Sequence, residues 1–407
     1  MNVLFLSLGK YWTINEKDIY TDLLREFIRH GDKVYVLSPT ERREGKKTQL
    51  IEEENSVILK VRTGNVQKTH FIEKGISTIL IGPQFLRAFK KYFSKTRFDL
   101  VLYPTPPITF AGVVEYVKKR DNARTYLLLK DIFPQNAVDI GMMNKTGIKG
   151  LLYRHFRRQE KKLYRISDRI GCMSQANVDY VVKHNPEIDP EIVEVCPNCM
   201  EVFDKSVGGA ARDEIRKKYG IPTDRKVFVY GGNLGKPQGI PLLTRCLAAC
   251  RDMKEVFFLI VGDGTEFPLL EKYAKESGQT NFKLMKRLPR EDYDTMVGAC
   301  DVGLIFLDHR FTIPNFPSRL LGYMQAKLPI LACTDPNTDI GKIIVEGGFG
   351  WWCESNNVEA FTECVRAAAA ADTVGLGKAG YEYLNRHYTV EIGYRIIQKS
   401  LCGRDTK

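Results

Sequence analysis

Short apolar runs alternate with amphipathic segments of helical length along the chain, and this alternation begins a second time after the midpoint of the sequence. Runs such as NVLFLSL at 2–8 and KVYVLSP at 33–39 are separated by segments such as DIYTDLLREFIRHG at 18–31. Alternation of this kind is typical of βαβ units, in which parallel strands form a sheet and helices cover its faces. We therefore expect an α/β protein with doubly wound sheets.

The alternation is interrupted by a polar, glycine-containing stretch at about 199–225 and restarts with KVFVYGG at residue 226. The 407 residues also exceed the size at which one hydrophobic core usually stops growing. We expect two doubly wound domains, residues 1–200 and 201–388, with a ligand cleft at the carboxyl ends of their strands. The final amphipathic segment, about 389–402, is expected to pack back on the first domain.

Charge is distributed unevenly between the two halves. The net charge is +12, and residues 1–200 contribute most of it, with 33 Lys and Arg against 23 Asp and Glu. Any acidic surface that the protein binds is therefore expected to bind the first half. The sequence shows neither a signal peptide nor an apolar run long enough to span a bilayer, so we expect a cytoplasmic protein.

The cysteines agree with a reducing compartment, because several of the ten lie inside apolar patterns and are interpreted as small buried side chains. The pair in CPNC, Cys196 and Cys199, has the spacing of a metal or redox site, but no second pair follows at a suitable distance. We interpret it as a turn at the end of a strand.

Two glycine-rich turns follow apolar strands in the second half. In the first, Gly231, Gly232 and Gly235 come after VFVY and precede a helix that starts near Gly239 or Ile240. Exposed amides at a helix start favour a phosphate group, to which Lys236 could add charge. The segment is not a P-loop. The second turn is VGDGTE, and two successive turns of this kind favour a ligand site over ordinary loop structure.

A third segment, PNFPSRLLG at 314–322, passes from proline-broken chain into a helix. Ser318 is predicted to cap that helix, and Arg319 lies in its first turn, where a guanidinium could bind a diphosphate through two hydrogen bonds. An arginine that merely faces solvent is the alternative.

Together, GGNLGKPQGIPLL, LIVGDGTE and PSRLLGYMQAKLPILA resemble the nucleotide-sugar half of family 4 glycosyltransferases, which have the GT-B fold of two facing Rossmann-like domains. YPTPPITFAG and LLLKDIFPQNAVDIG resemble the first half, most closely in the WbuB-like branch of N-acetylfucosamine transferases that build O-antigen and capsule repeats. The resemblance implies a retaining glycosyltransferase that moves a sugar, expected to be UDP-linked, to a polyprenyl-linked saccharide acceptor. It implies no cofactor and no metal.

The resemblance also implies the site residues. In the second half, the residues that would bind the donor are Gly232, Asn233, Gly235, Lys236, Gln238, Gly262, Gly264, Arg287, Asn315, Phe316, Ser318 and Arg319. In the first half, the resemblance implies the loop residues Gly9 and Lys10. It also implies two catalytic candidates, Lys130 and Asp131, and this pair stands where the family often has His-Asp. Asp131 is the first choice for a carboxylate near the reacting centre.

Three further positions depart from the family pattern. Many relatives have an arginine at Asn233, and Pro314 and Gly322 stand where the family has two glutamates, the second of which binds the ribose. The missing glutamates favour an alternative function, a nucleotide-sugar-binding partner or regulatory subunit without turnover.

One motif suggests a metal site. Asp292 and Asp294 form the Asp-x-Asp pattern with which another transferase fold binds manganese. They lie near the start of a predicted helix, where residues two apart do not share a face, so favourable interaction with the helix dipole explains them better.

Two basic amphipathic segments in the first half suit an anionic membrane surface. Residues 147–166 carry seven Lys and Arg, including Arg157, Arg158, Lys161 and Lys162, beside an apolar stripe of Ile148, Leu151, Leu152, Phe156, Leu163 and Ile166. Residues 83–98 carry Phe85, Phe89, Tyr92 and Phe93. We expect peripheral binding to the inner face of the cell membrane. The alternative for each segment is a solvated face over a buried core stripe.

Nucleic acid is not an expected partner, because no recognised module accompanies the basic first half.

Overall fold

A computed structural model describes residues 1–66 and 71–402 and divides the chain into two units. Unit 1 combines Met1–Glu201 with the C-terminal segment that begins at Val390, and unit 2 is Val202–Thr389. The chain therefore leaves unit 1 once, forms the whole of unit 2, and returns to unit 1 for its last helix.

Unit 1 contains an eight-stranded sheet in the order β3-β4-β2-β1-β5-β6-β7-β8, in which only the β3–β4 pair is antiparallel. The strands are β1 Asn2–Leu6, β2 Lys33–Glu41, β3 Gln49–Glu52, β4 Ser56–Thr63, β5 Leu100–Thr105, β6 Arg124–Leu129, β7 Arg169–Cys172 and β8 Val193–Val195. The helices are α1 Ile19–Arg29, α2 Phe71–Tyr92, α3 Ala111–Asp121, α4 Gln135–Asp139, α5 Gly147–Ile166 and α6 Gln175–His184.

Unit 2 contains a six-stranded, fully parallel sheet in the order β11-β10-β9-β12-β13-β14. The strands are β9 Lys226–Asn233, β10 Val256–Asp263, β11 Phe282–Lys286, β12 Val302–Phe306, β13 Ile330–Thr334 and β14 Gly350–Glu354. The helices are α7 Gly209–Tyr219, α8 Ile240–Ala249, α9 Phe267–Glu276, α10 Arg290–Gly298, α11 Arg319–Gln325, α12 Ile340–Glu346, α13 Val358–Ala370 and α14 Thr373–His387.

The central strands of both sheets are apolar along their whole length because helices cover both faces. In unit 1 every residue of β5 is buried, and in unit 2 every residue of β12 and β13 is buried. Each unit thus has its own Rossmann-like α/β core, as the alternation in the sequence predicts.

The last helix, α15 Val390–Cys402, completes the core of unit 1. Val390 and Ile397 join the apolar cluster formed by strands β1, β2 and β5. Gly393 allows a close approach, because a Cβ atom at that position would lie 2.6 Å from Cys199 Sγ. Cys196 and Cys199 are buried in the same cluster, and burial raises the pKa of both thiols.

The aromatic stripe of α2 belongs to the core, contrary to our membrane interpretation of this segment. Phe85, Phe89 and Phe93 are buried, and the rings of Phe89 and Phe93 pack against Phe98. The apolar residues have the predicted helical spacing, but they are buried in the core instead of facing a membrane.

Within the described residues, no helix is both long and apolar enough to cross a membrane.

Candidate functional site

The two glycine turns of unit 2 lie side by side at the carboxyl edge of its sheet. Gly232 on β9 is the register partner of Gly262 on β10, and a Cβ atom at Gly262 would lie 2.0 Å from the Gly232 carbonyl oxygen. Gly232 also has a φ of +126°, which disfavours any side chain. The sequence suggested that Gly231 and Gly232 follow the strand. The strand in fact continues to Asn233, so both glycines lie in its last residues.

Beyond the strand, the side chain of Gln238 organises the first glycine turn. Its Oε1 accepts hydrogen bonds from Asn233 Nδ2 at 3.1 Å and from the Gly235 amide at 3.2 Å. Gly264, in the second turn, packs against Leu234, since a Cβ atom there would lie 2.4 Å from the Leu234 backbone. Lys236 is exposed in the same loop. The loop is therefore held in one shape by groups that leave Lys236 accessible.

Arg319 is the first residue of α11, and its side chain reaches the same glycine turn. Its guanidinium carbon lies 4.4 Å from the centroid of the Tyr230 ring, and a Cβ atom at Gly232 would lie 3.5 Å from its Nη2. Its Nη1 atom is buried and has no hydrogen-bond partner among the described residues. A buried cationic donor without a partner is costly, so this atom is poised for an anionic ligand.

Three tyrosines surround Arg319 and Gly231. The Tyr323 hydroxyl accepts a hydrogen bond from the Gly231 amide at 3.1 Å, and the Tyr293 ring packs against Gly231 so closely that a Cβ atom there would clash. Burial raises the pKa of Tyr230 and Tyr293, and it raises that of Tyr323 to about 12. The three phenols therefore stay neutral and do not cancel the charge of Arg319.

The other donor-site candidates lie at the same edge of the sheet, in different environments. Asn315 Nδ2 is buried without a described partner, while the Asn315 carbonyl accepts a hydrogen bond from Thr338. The Phe316 ring is buried beside Tyr388. Ser318 occupies the N-cap position of α11, but its hydroxyl makes no cap hydrogen bond, so the predicted cap is wrong. Arg287 is exposed just after β11.

The three residues of the Asp-x-Asp motif have different partners. Asp292 bonds Tyr219 and Lys218, whereas Asp294 pairs with Lys205 and Arg290. Tyr293, between them, points to Gly231. The two carboxylates therefore serve different ion pairs, as their positions on a helix suggested.

In unit 1, Lys130 and Asp131 directly follow β6 and their side chains diverge. Lys130 Nζ donates to the Cys196 carbonyl at 3.3 Å, and burial lowers its pKa. Asp131 Oδ2 accepts a hydrogen bond of 2.6 Å from Asn136 Nδ2, while Oδ1 is buried without a described partner. Burial raises the pKa of Asp131 to about 7. Asp131 is thus a carboxyl group that can exchange a proton near neutral pH.

The first loop of unit 1 is also tightly bonded. The Gly9 amide donates to Ser7 Oγ, and its carbonyl accepts from Ser38 Oγ at 2.6 Å. Lys10 Nζ pairs with Glu44 at 2.6 Å. Lys10 therefore already has a carboxylate partner, supplied by the segment that follows β2.

The cations of α5 are divided between paired and exposed positions. Three of the four that we named are ion-paired: Arg157 with Glu160, Lys161 with Glu187 and Lys162 with Glu115. Arg158 is exposed. Lys161 and Lys162 remain 38% and 44% exposed in their ion pairs, so a membrane-facing role for the four cations stays a prediction.

A different set of α5 residues forms its exposed face: Leu151, Arg154, Arg158 and Arg165. They are spaced at intervals of three, four and seven residues, so they lie on one side of the helix. Leu151 is 61% exposed, and Met142, just before the helix, is 58% exposed. Phe156 and Leu163 are buried instead, and the side chain of Ile148 lies outside what the structure describes.

Sequence reasoning missed the side chains that position the charged candidates, namely Tyr230, Tyr293, Tyr323 and Asn136. Tyr293 lies inside the Asp-x-Asp motif, where only the two acids form a recognisable pattern. Asn136 follows Asp131 by five residues, beyond the end of the strand, where no periodicity indicates a contact.

Two family models match the chain. The model described as Glycosyltransferase Family 4 matches residues 19–202, and the model described as Glycosyl transferases group 1 matches residues 211–372. The first segment lies in unit 1, except for its last residue, Val202, which is the first residue of unit 2. The second segment lies in unit 2.

Individual proteins agree with these models. The chain is 27% identical to WbjE of Pseudomonas aeruginosa, named as a glycosyltransferase, over 79% of the chain and 78% of that protein. It is 23% identical to WcaI of Escherichia coli K12, named for colanic acid biosynthesis, over 66% of each. Among solved structures, HepE of Anabaena in complex with UDP superposes with a TM-score of 0.69 at 14% identity, covering 98% of this chain and 99% of that one.

Proposed function

The chain belongs to the family 4 glycosyltransferases of the GT-B fold, and we propose that it is a retaining enzyme that transfers a sugar from a UDP-linked donor to a lipid-linked saccharide. The observation that carries the donor half of this proposal is the unpartnered Nη1 of Arg319 beside two glycine turns. A diphosphate supplies the anionic acceptors that such a donor lacks.

The donor diphosphate lies against the backbone of Gly232 and the guanidinium of Arg319, since the Gly235 amide already donates to Gln238. Breaking the bond between a sugar and a nucleoside diphosphate develops negative charge on the leaving phosphate and positive charge at the anomeric carbon. Donors that are held in position before the reaction stabilise that charge without reorganising. Arg319 is well suited to this task because neutral tyrosines fix it while leaving its charge uncompensated.

Asp131 of unit 1 contributes the carboxylate for the acceptor side. Transfer requires that the acceptor hydroxyl lose a proton, and a group with a pKa near the working pH accepts protons efficiently. Burial gives Asp131 a pKa of about 7, and Asn136 fixes its orientation. The leaving phosphate is the other group able to accept this proton.

Transfer is proposed to be independent of a metal ion, since the charge on the diphosphate is met by the backbone of Gly232 and by Arg319. UDP release should therefore continue in the presence of a chelator, and added Mn²⁺ should not increase it. A requirement for Mn²⁺ would contradict this part of the proposal.

The product is proposed to be a bacterial surface polysaccharide, of the O-antigen, capsule or exopolysaccharide kind. The name of the similar protein WcaI, which refers to colanic acid biosynthesis, supports this class. An N-acetylhexosamine donor, as in the N-acetylfucosamine transferase branch, is the specific form of the proposal that the quoted motifs favour.

The lipid part of the acceptor places the enzyme at an anionic membrane surface on the cytoplasmic side, bound peripherally through α5. The exposed face of Leu151, Arg154, Arg158 and Arg165, with Met142 at its end, combines apolar and cationic side chains. Such a surface binds anionic lipid, each cation contributing about 1 kcal/mol.

The test is UDP release from a panel of UDP-sugars, with membrane extract as the source of lipid-linked acceptors. We expect release with one or few donors, and a product whose anomeric configuration, read by NMR, matches that of the donor. If UDP-sugars bind but no combination of donor and membrane extract releases UDP, the proposed enzymatic function is refuted. That result would favour the non-catalytic partner that Pro314 and Gly322 suggested.

A further inference from the structure

A second group of chemistry-bearing side chains lies in unit 1, where α15 packs on α1. Glu26 and His30 are one helical turn apart at the end of α1, and Glu391 lies in the first turn of α15. His30 Nε2 is 3.3 Å from Glu26 Oε1 and 3.4 Å from Glu391 Oε2. All three atoms lie within 4.8 Å of one another. The proposed transfer reaction uses none of them.

Two arginines hold the outer oxygens of the carboxylates. Arg29 binds Glu26 Oε2, and Arg395 Nε donates to Glu391 Oε1 at 2.6 Å. The inner oxygens, Glu26 Oε1 and Glu391 Oε2, are thereby turned toward the imidazole. Both arginine side chains are half exposed or more, so water screens their charges from the centre of the group.

One carboxylate oxygen of Glu26 lies within 4.8 Å of one of Glu391. Ionised carboxylates this close repel one another unless a proton or a cation lies between them. Glu26 is 5% exposed, so it cannot turn away into water to relieve this repulsion. A cation at the point where the inner atoms converge would reduce this repulsion.

The imidazole is held in place to receive such a charge. The His30 ring stacks on Tyr394 with 4.0 Å between centroids and an interplanar angle of 8°. Glu and His four residues apart share one helix face, a spacing common among metal ligands. Ligands bound at 2.0–2.2 Å to one tetrahedral ion lie about 3.3–3.6 Å apart, close to the two separations that His30 makes.

We propose that Glu26, His30 and Glu391 bind one divalent transition ion of the zinc class, with water as the fourth ligand, and that this ion fastens α15 to α1. Imidazole and carboxylate ligands suit Zn²⁺, and the half-exposed His30 provides a path for the ion and its water. The site is structural and does not depend on the proposed transfer reaction.

The test is titration of the chelator-treated, full-length protein with Zn²⁺, followed by calorimetry, and with Co²⁺, followed by its visible absorption. We expect one ion per chain, a Co²⁺ spectrum of tetrahedral intensity and a higher melting temperature with Zn²⁺. His30→Ala and Glu391→Gln should each weaken binding at least about tenfold and abolish the thermal shift. Glu391 is exposed enough that its variant should fold even if the His30 variant does not.

The matched control is His155→Ala, which removes an exposed histidine of α5 that packs on Phe156. This variant should bind Zn²⁺ like the wild type. The proposal is overturned if the wild type binds no stoichiometric ion, which would leave a cluster bridged by a proton only. Equal binding by the wild type and both ligand variants would overturn it as well. Neither result would bear on UDP release, so failure of this proposal and failure of the proposed function are distinguishable.

Discussion

Arg319 is the residue on which the proposed donor site most depends, because it is the buried cation beside Gly232 whose Nη1 has no described partner. Replacing it by alanine removes the charge that we propose stabilises the leaving diphosphate. We expect Arg319→Ala to lower kcat/KM for the donor by about 10²–10³-fold, the usual loss for one preorganised donor. Arg319→Lys should recover part of this loss, since an ammonium keeps the charge but not the planar fork.

The control for this prediction is Arg245→Ala, which removes an arginine of α8 that bonds Asn356 at the surface. It should leave donor kinetics unchanged. Steady-state kinetics measured with thermal melts will separate a loss of charge from a loss of folding. Wild-type kinetics in a folded Arg319→Ala protein would remove the residue from the donor site.

Asp131 gives the activity a predicted pH dependence. Burial raises its pKa to about 7, so the carboxylate is protonated below that pH. If it accepts the acceptor proton, the rate should fall tenfold per pH unit as the pH drops below about 7. In Asp131→Asn the remaining activity should lack this limb of the pH–rate profile, whereas Asp179→Asn, on α6, should keep it.

The same residue affects stability with a definite sign. Because the pKa of folded Asp131 is raised from 3.8 to about 7, folding disfavours the ionised form. The destabilisation should begin above about pH 4, grow as the pH rises, and be complete above about pH 7. Asp131→Asn should therefore raise the melting temperature more at pH 8 than at pH 5, and the opposite order would contradict the burial of this carboxylate.

Gly232, Gly262 and Arg319 could be proposed as donor-site residues from the sequence, because glycine turns after strands and a cation at a helix start have a local signature. The sequence could not identify Tyr293 and Tyr323, since their role depends on how α10 and α11 pack over Gly231. Lys130 is a catalytic candidate only through the resemblance, because Lys130-Asp131 stands where the family often has His-Asp. The structure gives that amine a contact with the Cys196 carbonyl, made by residues 66 positions apart.

Helix α5 carries the membrane prediction at the level of elements. Reversing Arg154, Arg158 and Arg165 to glutamate should reduce binding to anionic vesicles by about 100-fold or more, because three attractive charges become repulsive. Co-sedimentation with vesicles containing phosphatidylglycerol measures this. The matched control makes the same charge change at Lys254, Lys272 and Lys275, which are exposed in unit 2. Equal binding by all three proteins would refute the α5 surface.

Helix α2 has the opposite expectation, since its aromatic stripe is in the core. Phe89→Ala should lower the free energy of unfolding by about 3–5 kcal/mol, as large-to-small core substitutions do, and leave vesicle binding of the folded protein unchanged. Chemical denaturation and co-sedimentation check the two parts. A stable variant with weakened vesicle binding would restore the membrane interpretation of this helix.

The two helices show why amphipathic pattern alone did not decide between core and surface. Both have apolar residues at helical spacing and cations on the other face. In α5 the stripe divides, with Phe156 and Leu163 buried while Leu151 is exposed. Which part of a stripe is covered depends on where the neighbouring elements end, and local sequence does not carry that information.

For the whole molecule, the return of α15 to unit 1 has a measurable effect on stability. Truncation after Thr389 removes Val390 and Ile397 from the core of unit 1, at a cost of about 1.5–3 kcal/mol for each side chain. We expect the truncated protein to melt at a lower temperature and to bind a dye specific for exposed apolar surface. Truncation after Leu401 should have little effect, and equal stability of both proteins would contradict the packing of α15.

Two-domain organisation was predictable from the restart of the alternation at residue 226, because each sheet is built from strands that are consecutive in the chain. The contacts of α15 follow from particular residues, such as Gly393 against Cys199, that no repeat or spacing indicates.

The same return has a consequence for synthesis on the ribosome. A domain encoded first usually folds first, as soon as its chain has left the exit tunnel. Unit 1 cannot finish in that order, because the helix that closes its core is translated only after all of unit 2. While unit 2 is being made, nascent unit 1 exposes the apolar surface that α15 will cover. A chaperone that binds apolar surface can bind unit 1 during this whole interval.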